Sequence, residues 1–170
     1  MTMRSLTKFI DLIVEKQAEF FSLSMVILVL LVCYEVVMRY FFNAPTIWGL
    51  EFTTFIFGVH FVMGFGYTEL YQGHVRVDIF SSKLPQKVQD LIHIVLTTCI
   101  TLPFVALLGI WAWDNAITST KMVEKLSSAW APPIWPVKLL MAMGFTFLFL
   151  QVLSNLIKRI QTFGHKPISS

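Results

Sequence analysis

Residues 20–42 read FFSLSMVILVLLVCYEVVMRYFF, and within this run only Glu35 and Arg39 carry charge. At about 1.5 Å of rise per residue, a helix of this length covers the roughly 30 Å of a bilayer's hydrocarbon. Lipid offers backbone amides no partner, so the run is expected to close its own hydrogen bonds as a helix. It exceeds the roughly 7 to 15 residues of a signal-peptide apolar region and no A-x-A-like site follows, so it reads as an anchor that stays. Three further apolar stretches, at about 49–71, 89–113 and 134–157, are long enough to do the same.

Composition agrees with that solvent. The chain is 56% hydrophobic and 14% charged, with a mean hydropathy of +0.70, more apolar surface than a small soluble domain can hide. The expected fold is an all-α membrane protein of four transmembrane helices preceded by an amphipathic interfacial helix, forming one membrane domain over 1–170. Cys33 and Cys99 show no CxxC or metal-ligand spacing and read as small buried hydrophobes.

Charge placement sets an expected topology. Of the 13 Lys and Arg residues, nine (Arg4, Lys8, Lys16, Arg76, Lys83, Lys87, Lys158, Arg159 and Lys166) fall on the side that carries the N terminus. Arg39, Lys121, Lys125 and Lys138 fall on the other. The bias places the N and C termini in the cytoplasm. Trp48, Trp111, Trp113, Trp130 and Trp135 then gather at the outer headgroup layer, which suits an indole with an apolar body and a polar N–H.

Ahead of the first span, Leu6, Phe9, Ile10, Ile13 and Val14 recur with helical period while Lys8, Asp11, Glu15, Lys16 and Glu19 fill the positions between, the pattern of a helix over about 4–19 lying on the membrane interface against lipid headgroups. Asn43-Ala44-Pro45-Thr46 predicts a tight turn, with Asn43 suited to a left-handed position. The inner loop starts at Gly73 and ends at Pro85, and the longest outer loop is expected from Asp114 to Pro133.

Candidate functional residues follow from charge inside an apolar setting. Glu35 and Arg39 stand four apart in the favoured order for a helical ion pair, and the short hairpin brings Glu51 to a similar depth, which predicts a Glu35, Arg39 and Glu51 cluster near the outer surface. His60, deep in the second span, reads as a packed polar residue facing another helix. A haem held between two histidines would need His60 and His93 at one depth, and they differ by about 10 Å. There is no phosphate loop, nucleophile elbow, HExxH or paired carboxylate, hence no expected catalytic, metal or cofactor site, and no basic aromatic groove for nucleic acid. The small residues Gly58, Gly64, Gly66, Ala106, Gly109 and Ala112 are read as helix-packing positions.

Arg39-Tyr40-Phe41-Phe42-Asn43, then Trp48 and Glu51, then Gly73-His74-Val75-Arg76-Val77-Asp78, and finally Pro133, Trp135 and Pro136 together resemble the small, DctQ-like membrane subunit of tripartite ATP-independent periplasmic (TRAP) transporters. The resemblance covers nearly the whole chain. It implies a multi-pass protein of the bacterial inner membrane that binds a large permease subunit and, with a periplasmic substrate-binding protein, supports sodium-driven uptake of an organic acid such as a C4-dicarboxylate or a sialic acid. Sodium coupling would reside in the large subunit and this chain would be a scaffold. The matching positions Arg39, Trp48, Glu51, His74, Arg76 and Asp78 are then assigned to fold and subunit contact. Lys121, Glu124 and Lys125 in the long outer loop become the candidate docking charges for the binding protein. The rival reading from the residues alone is a haem- or quinone-binding membrane anchor of an oxidoreductase.

Overall fold

The computed structural model of the protein describes residues 3–71 and 85–165. Its helices are α1 (Met3–Tyr40), α2 (Gly49–Leu70), α3 (Gln86–Leu96), α4 (Leu102–Lys121) and α5 (Trp135–His165), with a π-helical turn at Thr97–Thr101 joining α3 to α4. Four helical segments are long and apolar enough to cross a membrane: Ser5–Tyr40, Gly49–Leu70, Val88–Lys121 and Trp135–Phe163. The protein is a multi-pass helical membrane protein.

Nothing in the sequence interrupts α1. From Met3 to Tyr40 there is neither glycine nor proline, so the segment expected as a separate interfacial helix continues straight into the first span. The result is one helix of 38 residues, about 57 Å long. Its first turns pack on α2 and α5, with Thr7, Ile10 and Val14 buried and Asp11 bonded to α5. Leu6, Phe9, Leu12 and Ile13 are left on the outward side. The apolar stripe read from the sequence is thus split between two faces, because α2 and α5 take only part of it.

The third span changes its hydrogen-bond pattern just ahead of its proline. Pro103 has no N–H, and its ring crowds the carbonyl four residues earlier; the chain responds by widening one turn, so that the Leu102 N–H bonds the Thr97 carbonyl five residues back. Beyond it α4 runs to Lys121, well past the expected start of the outer loop at Asp114. Ala116 and Ser119 are buried there and the Thr120 hydroxyl bonds back to the Ala116 carbonyl at 2.7 Å, so this polar stretch is held as helix.

Core and periphery divide unequally. α2 and α5 form the centre, packed on each other, with Val59, Val62 and Met63 of α2 and Ala142, Val152 and Leu156 of α5 buried. α1 lies along both, while the third span packs on α5 alone among the described residues. Of the apolar windows, 28% of the second span and 33% of the fourth is buried within the chain, against 0% of the first and 6% of the third. Cys33 and Cys99, expected as buried, lie on those outward faces.

The tightest approach of α2 to α5 at a glycine is at Gly144. A Cβ placed there would stand 2.8 Å from Val62 Cγ1 and 3.2 Å from the Val62 carbonyl carbon and oxygen. Gly66 is also tight, 3.3 Å from Val14 Cγ1, whereas Gly64 and Gly109 have nothing within 4 Å. Two of the glycines assigned to packing therefore face open space, and the one that decides the α2–α5 spacing was not singled out.

Candidate functional site

Polar side chains inside this bundle collect at its two ends, with one histidine between them. At the end away from the termini, the hairpin between α1 and α2 is closed by Asn43, which takes the left-handed conformation with φ 51. Glu35 accepts hydrogen bonds from Arg39 Nη2 at 3.0 Å and from the Thr46 hydroxyl. Thr46 Oγ1 in turn accepts from the Gly49 N–H at 3.1 Å, so the carboxylate sits over the first turn of α2, where the helix dipole favours negative charge.

Glu51 joins a different partner from the one expected. Its carboxylate accepts from Ser128 Oγ at 3.0 Å, and Ser128 Oγ accepts from the Ala131 N–H at 3.1 Å. The structure therefore brings Glu35 and Arg39 together and gives Glu51 to the outer loop. Trp48 stacks on Tyr34 with centroids 6.1 Å apart and meets Phe52 edge-on, which meets Trp130 of the same loop. Trp113 differs from the other tryptophans. Its N–H donates to Thr146 Oγ1 at 2.9 Å inside the α4–α5 pair, two turns before the end of α4.

The loop itself is built rather than loose. Leu126 N–H bonds the Pro132 carbonyl at 2.9 Å and Ile134 N–H the Glu124 carbonyl at 3.0 Å, forming an isolated antiparallel bridge between Lys125 and Pro133. Val123 and Ala131 take left-handed φ values of 47 to make its corners. Glu124 is tied to Lys138 Nζ at 2.6 Å, while Lys121 and Lys125 are exposed. Of the three candidate docking charges, two face outward and the third fastens the loop.

The Lys138 ammonium bonded to it holds the Glu124 carboxyl below the usual carboxylate range. A depressed pKa means that the tie is complete at neutral pH and disappears as the pH falls through that lowered value. Glu124→Gln is accordingly expected to speed hydrogen exchange at the Leu126 and Ile134 amides relative to the parent at neutral pH. That ratio should shrink toward one only as the pH falls through that lowered value, where the parent carboxyl is also neutral. A ratio independent of pH would remove the ion pair as the cause.

At the end that carries both termini lies a network the sequence pattern did not reveal. Asp11 Oδ1 accepts from Gln151 Nε2 at 3.0 Å and Ser154 Oγ at 3.1 Å, and its other oxygen accepts from Lys158 at 2.5 Å. Gln151 also donates to Asn155 Oδ1, whose amide reaches the Glu69 backbone and side chain at 2.7 and 3.0 Å. Arg159 pairs with Asp90 at 3.1 Å, and the Tyr71 hydroxyl donates to Glu15 at 2.9 Å. Gln151 and Ser154 are wholly buried. The available signal was polar residues repeating at helical spacing on α5 (Gln151, Ser154, Asn155, Lys158), which face Asp11 on the stripe read as solvent-facing. The expected contact residues His74, Arg76 and Asp78 lie outside the described residues.

Between the ends, His60 Nδ1 lies 2.9 Å from Ser24 Oγ and 3.2 Å from the Phe21 carbonyl. His93 stands beside Thr97 at 3.2 Å, and α2 and α3 do not touch among the described residues, so the two imidazoles do not share a site. No group of three or more His, Cys, Asp and Glu able to hold a metal occurs among those residues.

Comparison with known proteins fits this architecture. The curated "C4-dicarboxylate TRAP transporter small permease protein DctQ" of Vibrio cholerae serotype O1 (strain ATCC 39315 / El Tor Inaba N16961) is 30% identical over 119 residues, which cover 69% of this chain and 50% of the relative. The chain thus spans about half the length of that curated relative. The family model described as "Tripartite ATP-independent periplasmic transporters, DctQ component" matches residues 28–162, a range that takes in part or all of each of the four spans and the loops that join them. A four-span helical membrane chain matched across that length belongs to the DctQ component family of the tripartite ATP-independent periplasmic transporters, a family of transporter parts rather than enzymes.

Proposed function

We propose that this chain is the small subunit of a TRAP transporter in the bacterial inner membrane, termini in the cytoplasm, and that it scaffolds a large permease subunit for sodium-coupled, binding-protein-dependent uptake of an organic acid. A C4-dicarboxylate is the first substrate class to test, because it is what the name of the Vibrio relative carries; a sialic acid is the second. The observation that carries the scaffold reading is that almost none of the apolar windows of the first and third spans is fully buried within the chain, beside a family match over residues 28–162. Faces this apolar have lipid or another transmembrane protein as their only suitable neighbours.

The deciding experiment is purification of a tagged form from its native membrane in mild detergent, with mass spectrometry of what accompanies it. A large multi-span permease at equal stoichiometry is expected. A redox subunit in its place would mean that the chain anchors an oxidoreductase, and recovery of the chain alone would end the scaffold reading.

Docking of the soluble binding protein is assigned to the loop fastened over α2. With Glu51 and Glu124 tied inward, Lys121 and Lys125 leave an electropositive rim, suited to steering an acidic partner. The double variant Lys121→Glu and Lys125→Glu is expected to slow uptake on the order of tenfold at low salt while permease recovery is unchanged. Uptake equal to the parent across a range of salt would show that the rim takes no part.

A further inference from the structure

Between α1 and α2, on the side that faces away from α5, lies a cavity of about 340 Å³ whose lining includes Glu19, Ser22, His60, Gly64, Tyr67 and Thr68. Its depth follows from the contacts along the helix pair. Glu15 meets Tyr71 at the terminal end, and Glu35 meets Thr46 beside the start of α2 at the other. Between those marks α1 advances about 30 Å, the thickness of the hydrocarbon. Glu19 is one turn inside the first mark, and His60, opposite Ser24, is near the middle. The cavity therefore opens near the terminal-end surface and reaches toward the membrane centre.

The serine and threonine hydroxyls on its wall are turned away as donors. Ser22 Oγ donates to the Glu19 carbonyl at 2.7 Å, and Thr68 Oγ1 donates to the Gly64 carbonyl at 3.0 Å. Tyr67 packs its ring against Tyr71 with centroids 4.7 Å apart. Ser24 donates to the Phe21 carbonyl at 2.5 Å, and that carbonyl also faces His60 Nδ1. A carbonyl only accepts, so this contact is a hydrogen bond in the tautomer with the imidazole proton on Nδ1, the form that leaves Nε2 as an acceptor. Beside the Tyr67 hydroxyl, the wall offers an occupant a row of acceptors: the Glu19 carboxylate at the mouth, the oxygens of Ser22 and Thr68, and, in that tautomer, His60 Nε2 at depth. Lys16 takes one Glu19 oxygen from outside at 2.7 Å, an exposed pair of the kind that contributes little.

We propose that this cavity receives a lysine or arginine side chain from a transmembrane helix of the large permease subunit. Charge and hydrogen-bond complementarity select it. Several acceptors along one slot, with a carboxylate at the mouth, match a cationic group that has several N–H bonds and no acceptor of its own. The apolar stem of such a side chain runs along the wall while its head reaches the acceptors. The open α1 face supplies the surface on which the partner helix would lie. The inference rests on the scaffold reading and adds to it the place and the chemistry of the contact.

The test uses full-length chain in native membranes, in a Cys33→Ala and Cys99→Ala background, with Ser22→Cys or Gly64→Cys in the cavity and Lys121→Cys as a remote control. N-ethylmaleimide is the probe. The chain expressed alone is expected to react at both cavity positions, since water fills an unoccupied polar slot. Co-expression of the permease should slow that reaction at least about tenfold and leave the control unchanged. In parallel, His60→Leu and Glu19→Gln should each lower the permease retained through detergent washes by about tenfold, the size of one charge-assisted hydrogen bond. His60→Gln, which restores an acceptor, should recover part of it.

Permease that co-purifies with the parent but neither protects the cavity nor leaves with the His60 and Glu19 variants would overturn this proposal and spare the scaffold reading. Absence of permease would defeat both. Protection of the cavity in the chain expressed alone would assign it to lipid and also overturn the proposal.

Discussion

Replacing Asp11 with alanine is expected to destabilise the protein by about 2 to 3 kcal/mol, the largest effect of any single polar substitution at the terminal end. The carboxylate accepts from Gln151, Ser154 and Lys158 at once. In the variant, Lys158 can swing to water because its side chain is 38% exposed, which keeps the loss below that of a fully buried pair. Gln151 has no such escape. It is fully buried and its Oε1 already lacks a partner among the described residues, so losing Asp11 leaves its amide with the Asn155 bond alone. Asp11→Asn separates charge from shape, since it keeps an acceptor for Gln151 and Ser154 and gives up the ion pair. Its expected loss is about 1 kcal/mol. Thermal unfolding of the purified protein in detergent should show the midpoint lowered by about 4 to 12 °C in Asp11→Ala and about 2 to 4 °C in Asp11→Asn. Equal midpoints for parent and Asp11→Ala would mean that the network does not hold α1 to α5.

Gly144→Leu is expected to disrupt the α2–α5 pair, at a cost of about 3 kcal/mol, the upper end for overpacking. Side chains can repack, but the Val62 carbonyl at 3.2 Å from the new Cβ is backbone in the middle of a helix, so the helices themselves must separate. Gly144→Ala should cost about 1 kcal/mol, and Val62→Ala should recover part of that by removing Cγ1 while the carbonyl contact stays. Gly109→Ala provides the contrast. Nothing lies within 4 Å of its new methyl, so helix propensity alone acts and stability should rise by up to about 1 kcal/mol. Equal unfolding midpoints for Gly144→Leu and Gly109→Ala would remove close approach as the reason for glycine at 144.

Local and distant partners differ sharply in how legible they are. Arg39 four residues after Glu35 is a local fact, and their pairing could be read because i and i+4 share a helix face whatever else the chain does. Whether Glu51 would join them depended on where a loop far along the chain came to rest. Ser128 took that carboxylate. Asp11 was placed on a solvent-facing stripe because periodicity distinguishes polar from apolar faces and says nothing of a polar face turned toward another polar face. The α5 residues that receive it lie at the opposite end of the chain.

By itself the sequence determined that the chain is helical and crosses a membrane four times, because a bilayer accepts few backbone arrangements and long apolar runs declare themselves without help from neighbours. It also carried enough family-like motif, in order around the spans, to point to the TRAP small-subunit family from the residues alone. Tertiary structure decided which helices form the centre, that Gly144 rather than Gly64 sets a helix spacing, and that His60 meets Ser24 and the Phe21 carbonyl. Each of these depends on which face meets which, and in lipid, where one apolar surface is much like another, close fit and hydrogen bonds between distant residues settle that choice.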